Sequence, residues 1–258
     1  MPNPRRLYQT ARGYATTARP PTIATKYLSK PIAYETGLAL QDHLVQQRQQ
    51  QLISNVLLLL QHPPTYTAGR RVRGSDVTEG ERLRALGAQY FETLRGGQTT
   101  FHGPGQLVGY PILSLPEFKL GVRTYITHLE KTLIQTLKQY DISAKTTCDT
   151  GVWVSDRKIA ALGIQVRRHV TSHGFALNCN TGLDWFSHIV PCGLVGKGVT
   201  SITEELQRVT ESPEVTVETV LPHLISAFGD TFGAATAPLD EVDPSVSHEI
   251  DEFIRSRS

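Results

Sequence analysis

The stretch RGGQTTFHGPGQLVGY, residues 95–110, holds five glycines, a proline and a single histidine. So much glycine constrains a fold strongly. It suits places where the backbone takes φ > 0 or must approach a ligand closely, because no Cβ stands in the way. Phosphate is the familiar partner of such loops, and the spacing excludes it. A dinucleotide loop needs Gly-x-Gly-x-x-Gly, yet after Gly103 and Gly105 the third place holds Val108. A plain surface loop and a ligand-facing loop both stay open.

The flanking sequence predicts a mixed α+β fold. Tyr34, Leu38, Leu44, Val45 and Leu52 recur near helical spacing over 33–52. NVLLLL (55–60) is a core strand, after which the prolines of QHPPTYTAGRR stop pairing or helix. GERLRALGAQ predicts a short helix, and YFETL a strand leading into the glycine loop. QLVGYPILSL (106–115) is a strand in which Pro111 marks an edge or a bulge. Over 121–140 apolar residues recur at three and four, the clearest helix of the chain. Residues 151–166 form two strands joined at Ser155-Asp156-Arg157, and 171–180 add a third. Short helices are expected at 200–208, 216–228 and 245–255, with GAATAPLDEVDP as a loop. Adjacent strands fall as hairpins without a strict βαβ rhythm, which favours a mixed sheet flanked by helices.

Charge is unevenly placed. The 258 residues carry a net +2, but residues 1–30 hold six basic residues and no acid, leaving a body of 20 basic and 24 acidic residues at −4. An acid-free start rich in Arg, Ser/Thr and Ala has the composition of a mitochondrial transit peptide, with Arg12-Gly13-Tyr14 before Ala15 resembling a processing site. A basic arm for nucleic acid or lipid is the other reading. Either way residues 1–30 are set outside the fold and 31–258 form one domain. The longest apolar run, NVLLLL, is far short of a membrane span. Three cysteines with no C-x-x-C pair argue for a reducing compartment.

Few residues could carry chemistry. His169 and His173 have zinc-like spacing, but on a strand four residues separate side chains by about 13 Å, too far for one ion. GLVGKG (193–198) lacks the Ser or Thr and the spacing of a phosphate loop. Cys148 and Cys179 lie in strand-rich surroundings that suit inert thiols. Cys192 follows a proline and precedes an uncharged glycine-rich loop, so it is either a nucleophile or a structural cysteine. Lys158 follows a hairpin turn, where lysines are commonly solvated, but the small apolar run IAALGI beside it could strip water from its ammonium.

Four blocks together resemble the lipoyl(octanoyl) transferase family: RGGQTTFHGPGQLVGY, HPPTYTAGRR (62–71), GVWVSDRKIAALGIQVRRHVTSHGFALN (151–178) and IVPCGLVGKGVTSI (189–202). The similarity runs from about Ala33 to Leu206. It implies the fold of biotin/lipoate protein ligases and transfer of an octanoyl group from acyl carrier protein to a lysine of a lipoyl domain. Acceptors would be 2-oxo-acid dehydrogenases and the glycine cleavage H protein, with no cofactor, no metal and no ATP. Cys192 matches the family's acyl-thioester nucleophile and Lys158 the residue that lowers its pKa. Substrate-binding positions correspond to Arg95, Gly96, Gly97, Gln98, Thr99, Thr100, Phe101 and His102, to Ala161, Leu162 and Gly163, and to Gly174, Phe175 and Ala176. Arg70, Arg71, Arg73, Arg167 and Arg168 are candidates for local basic patches facing acidic carrier and lipoyl domains. Related alternatives are an ATP-dependent lipoate ligase, a lipoyl amidotransferase and a non-catalytic lipoyl-domain binder.

Overall fold

The computed structural model describes residues 20–72, 74, 77–190 and 196–257. In chain order these form β1 (Thr22–Leu28), α1 (Tyr34–Gln49), β2 (Asn55–Leu60), β3 (Thr65–Ala68), α2 (Val77–Ala85), β4 (Gln89–Glu92), β5 (Thr100–His102) and β6 (Gln106–Ile112). A 3-10 turn at Leu115–Phe118 leads to α3 (Val122–Lys138), β7 (Val152–Val154), β8 (Arg157–Arg167) and β9 (Val170–Asn178). A second 3-10 turn at Leu183–His188 precedes β10 (Gly198–Val199), α4 (Ile202–Gln207), α5 (Val217–Phe232), β11 (Ala235–Pro238), α6 (Leu239–Val242) and α7 (Pro244–Arg255).

The main sheet has the order β10-β8-β9-β6-β2-β1-β11, with β7 beside β8. It is mixed: β1 runs parallel to β2 and β11, β10 parallel to β8, and the other pairs are antiparallel. A small sheet, β4-β3-β5, carries the glycine-rich segment. Both faces of the main sheet are covered. Leu57 and Leu59 of β2 pack with Leu129, Leu133 and Leu137 of α3 and Leu224 and Phe228 of α5. Val56, Leu58 and Leu60 pack the other way, with Leu40 and Leu44 of α1 and Val246 and Ile250 of α7. That two-sided burial explains why NVLLLL lacks the alternation of a half-exposed strand.

Four expectations change. Thr22–Leu28 lies within the segment set outside the fold, yet it is a strand registered from Ile23↔Asn55 to Leu28↔Leu60. Its Lys26 is tied to Ser247 Oγ at 2.6 Å and to Asp251, so this basic residue serves the fold. Residues 1–19 lie outside the described residues. Pairing also resumes directly after the prolines, since Thr65–Ala68 lies between β4 and β5. GAATAPLDEVDP, expected as a loop, supplies β11 and α6.

Pro111 is not on an edge strand, because β6 lies between β2 and β9. Its carbonyl accepts from Thr171 Oγ1 at 2.6 Å, so its missing N–H faces β9. There the β6–β9 ladder has already ended at Gly109↔Phe175. Beyond that pair β9 kinks, with His173 at φ 53°. A Cβ on Gly174 would lie 2.2 Å from Gly109 O and 2.6 Å from Pro111 Cδ, so only glycine fits beside the ring.

Candidate active site

The β8–β9 hairpin builds the floor of the site. Ala161 pairs with Ala176 and Gly163 with Gly174. Residues two apart on a strand share a face, so these four form one patch almost without side chains. The patch is a trough in the sheet surface.

The glycine-rich segment roofs it. Gly96 N–H donates to Ile164 O at 3.0 Å, and a Cβ on Gly163 would lie 2.9 Å from Arg95 Cδ and 3.0 Å from Gly96 O. From the other side, Arg70 N–H and Arg71 N–H bond to Arg95 O and Gly97 O. Gly69 is close enough that a Cβ there would lie 2.4 Å from Gly97 O. Gly97 itself has φ 91°. Glycine is therefore required on three sides of one strap.

Between floor and roof is an inner chamber of ≈ 40 Å³, walled by Tyr34, Arg95, Thr100, His102, Tyr110 and His173 and floored by Ala161–Gly163 and Gly174–Ala176. It shares Gly97, Gln98, Leu162 and Gly163 with an outer chamber of ≈ 290 Å³. Of the residues singled out from sequence, Arg95, Gly97, Gln98, Thr100, His102, Ala161, Leu162, Gly163, Gly174, Phe175 and Ala176 line the inner chamber. Gly96 and Lys158 line the outer one. Thr99 and Phe101 line neither. Alternation along β5 turns Phe101 away, onto Tyr66, Trp185 and Phe186.

The inner wall is buried and polar but uncharged apart from Arg95. His62 Nδ1–H donates to Ile32 O at 2.6 Å, leaving Nε2 to accept from Tyr110 OH at 2.7 Å. A directed chain runs from Arg95 through Thr67 Oγ1, His102 and Gln106 to Asn178 and Thr200 O. In it His102 accepts at Nε2 and donates at Nδ1, so its neutral tautomer is fixed. Burial lowers the His62 pKa to about 4. Burial, with the charge of Arg95, lowers His173 to about 3, and burial with His62 and Arg95 holds His102 well below the usual range. Burial raises Tyr34 to about 12. Tyr34 enters only as a residue of the expected helix, while His62 and His173 fall inside two of the resembling blocks without being singled out for the site. Gln41 Oε1 accepts the His173 N–H at 2.7 Å and supports the kink there.

Lys158 lines the outer chamber and, with Thr100, Ala161 and Ala176, a smaller pocket. It is 5 % exposed, its Nζ donates to Thr150 O at 3.3 Å and lies 4.8 Å from the centre of the Trp153 ring. Lys197 Nζ lies 4.9 Å from the same ring and pairs with Asp149 at 3.6 Å. Thr200 N–H bonds to Lys158 O, joining β10 to β8 at this lysine. Cys192 lies outside the described residues. Cys148 is exposed and lines the outer chamber, whereas Cys179 is buried and its thiol pushed up to about 12 by desolvation. Of the arginines, Arg71 lines the outer chamber, Arg70 donates to Leu94 O and Arg167 pairs with Asp42. Arg168 is at the β8–β9 turn, and Arg73 lies outside the described residues.

A trough floored by backbone and small side chains, beside a chamber lined by the buried Lys158, suits a flexible apolar chain ending in a reactive carbonyl. Residues 33–229 match the family model described as the lipoyl protein ligase A/B catalytic domain. The chain is 49% identical over 203 residues to a mitochondrial octanoyl-[acyl-carrier-protein]:protein N-octanoyltransferase of Danio rerio, covering 78% of this chain and 88% of that one. It is 42% identical over 200 residues to a mitochondrial octanoyltransferase of Arabidopsis thaliana, covering 76% and 85%. Among solved structures, a lipoate-protein ligase A bound with ATP has a TM-score of 0.67 at 15% identity, over 86% of this chain and 88% of that one. A bipartite lipoate protein ligase from Thermoplasma acidophilum gives 0.64 at 16% identity, over 92% and 91%. At those identities the structures speak for the fold alone.

Proposed function

The chain belongs to the lipoyl protein ligase A/B catalytic family, and from that premise we propose that it is an octanoyltransferase acting in protein lipoylation. Its donor is octanoyl-acyl carrier protein and its acceptor a lysine of a lipoyl domain. Relatives at 42–49% identity bear octanoyltransferase names, which favours transfer over ATP-dependent ligation. The observation that carries the reading is the opposed pairing of Ala161 with Ala176 and of Gly163 with Gly174 under the Gly96–Gln98 roof. It gives the acyl chain a slot with no polar side chain on its floor.

In the proposed mechanism the Cys192 thiolate attacks the thioester carbonyl of the donor. The carrier thiolate departs and takes up the proton of the Lys158 ammonium, leaving an octanoyl-Cys192 thioester and a neutral Lys158 amine. The amine of the acceptor lysine then attacks that carbonyl. An amide bond forms, the bond to sulfur breaks, and the amine's surplus proton passes to Lys158. The Lys158 ammonium, oriented by Thr150 O and Trp153, supports the thiolate in the first half-reaction. No ATP is consumed, because the donor thioester is already activated. Acceptors would be the lipoyl domains of 2-oxo-acid dehydrogenases and the glycine cleavage H protein.

Intact-mass analysis after mixing with octanoyl-acyl carrier protein, without ATP, tests this. One octanoyl group should be gained, lost in Cys192→Ser and kept in Cys148→Ser and Cys179→Ser. Cys148 is the informative control because it lines the outer chamber. An adduct that requires ATP and free octanoate would indicate the ligase instead. Mitochondrial names among the relatives and the acid-free start fit a matrix address carried by the first 19 residues. A reporter fused to that segment should enter the matrix and be trimmed, and an untrimmed cytosolic reporter would refute the address.

A further inference from the structure

We infer that Glu130 is a positioning residue for Lys158, acting through the main chain of Thr150 and Gly151. The inference rests on the role proposed for Lys158 above. On α3, Ile126 lines the outer chamber and Glu130, four residues on, lies on the same helix face. Glu130 Oε1 accepts the Gly151 N–H at 3.2 Å. The preceding carbonyl, Thr150 O, is the one that accepts Lys158 Nζ. One carboxylate thus pins the peptide unit between the two residues whose main chain holds the lysine.

The turn has little slack. Gly151 has φ 136°, which side-chain-bearing residues rarely adopt, and a Cβ there would lie 3.1 Å from Lys158 Cε. The lysine stem therefore runs directly over the glycine, so any drift of the turn is passed to Nζ. Glu130 is half-buried, and burial raises its pKa while the Gly151 N–H lowers it. Glu130 holds the Gly151 N–H and Lys158 the Thr150 O, so the coupling travels through the peptide unit they share.

Gln and Met of similar length separate this role from packing, because only Gln can accept the Gly151 N–H. Glu130→Met should lower kcat by up to about 100-fold at little changed KM, the scale of a reacting group misplaced by about 1 Å, whereas Glu130→Gln should stay close to the parent. In a Lys158→Ala background Glu130→Met should cost nothing further. A loss equal in Gln and Met, or a full additional loss in that background, would overturn the inference and leave the reading of the site intact. A fully active Lys158→Ala enzyme would overturn both. Thermal melts of each variant report whether a loss arises from unfolding instead, and a Glu130→Met loss explained that way also counts against the inference.

Discussion

Gly151 lies beneath the stem of Lys158, with room for a hydrogen and not for a methyl group: a Cβ would be 2.9 Å from Ala160 O and 3.1 Å from Lys158 Cε. The first of these neighbours is backbone inside the β8–β9 ladder and cannot yield cheaply.

Gly151→Ala should therefore act twice. Strain at φ 136° and the close contacts should reduce stability by about 1–3 kcal/mol. Displacement of the Lys158 stem should also slow transfer in the molecules that remain folded. Urea unfolding and single-turnover transfer from octanoyl-acyl carrier protein separate the two effects. Unchanged values in both would mean that the turn can give way without moving the lysine.

The three buried histidines make a prediction about acid. His62 and His173 have folded pKa values of about 4 and about 3, with His102 also depressed, against about 6.5 in the unfolded chain. The unfolded state binds protons first, so the stability these groups allow is complete above pH 6.5. It is lost as pH falls through 6.5 toward their folded values. Urea midpoints measured from pH 7.5 down to 4.5 should hold level and then fall steeply below about 6.5. His62→Gln, which removes one of the titrating groups, should make that fall shallower. A flat profile down to pH 4.5 would show that these imidazoles can be protonated inside the fold.

What could be read beforehand follows a physical pattern. NVLLLL is unmistakable because both faces of β2 are buried. TIATKYL in β1 hides, since Lys26 leaves the sheet to meet Ser247 and Asp251 and threonines dilute the apolar signal. The trough is legible only as a list of small residues; its existence depends on the β8–β9 register, which sets Ala161 opposite Ala176. The polar wall is less accessible still. Tyr34, His62, Tyr110 and His173 come from four separate elements and loops and meet only in the folded chain. Glu130 has no local signature, because its importance lies in a backbone N–H twenty-one residues away. The orientation of Phe101 was the one site feature that alternation through Thr100 and His102 could have given.

The trough should also set acyl-chain length. Ala161 contributes one methyl to the floor of a chamber of ≈ 40 Å³, directly across the ladder from Ala176. Ala161→Leu would project three further carbons into that space, where neither the opposite strand nor the Gly96–Gln98 roof leaves room for a second chain. A long acyl group then competes with the leucine for the slot along more of its length than a short one does. With a methylene in an apolar pocket contributing roughly 1–3 kcal/mol, kcat/KM for the octanoyl donor should fall by about 100-fold or more. The butanoyl donor should change by no more than about threefold, so the ratio of octanoyl to butanoyl kcat/KM should fall by about 30-fold or more. Because the butanoyl rate requires the same folded enzyme, it also serves as the control for folding. Equal losses for both donors would place the acyl chain elsewhere and remove the trough from the mechanism.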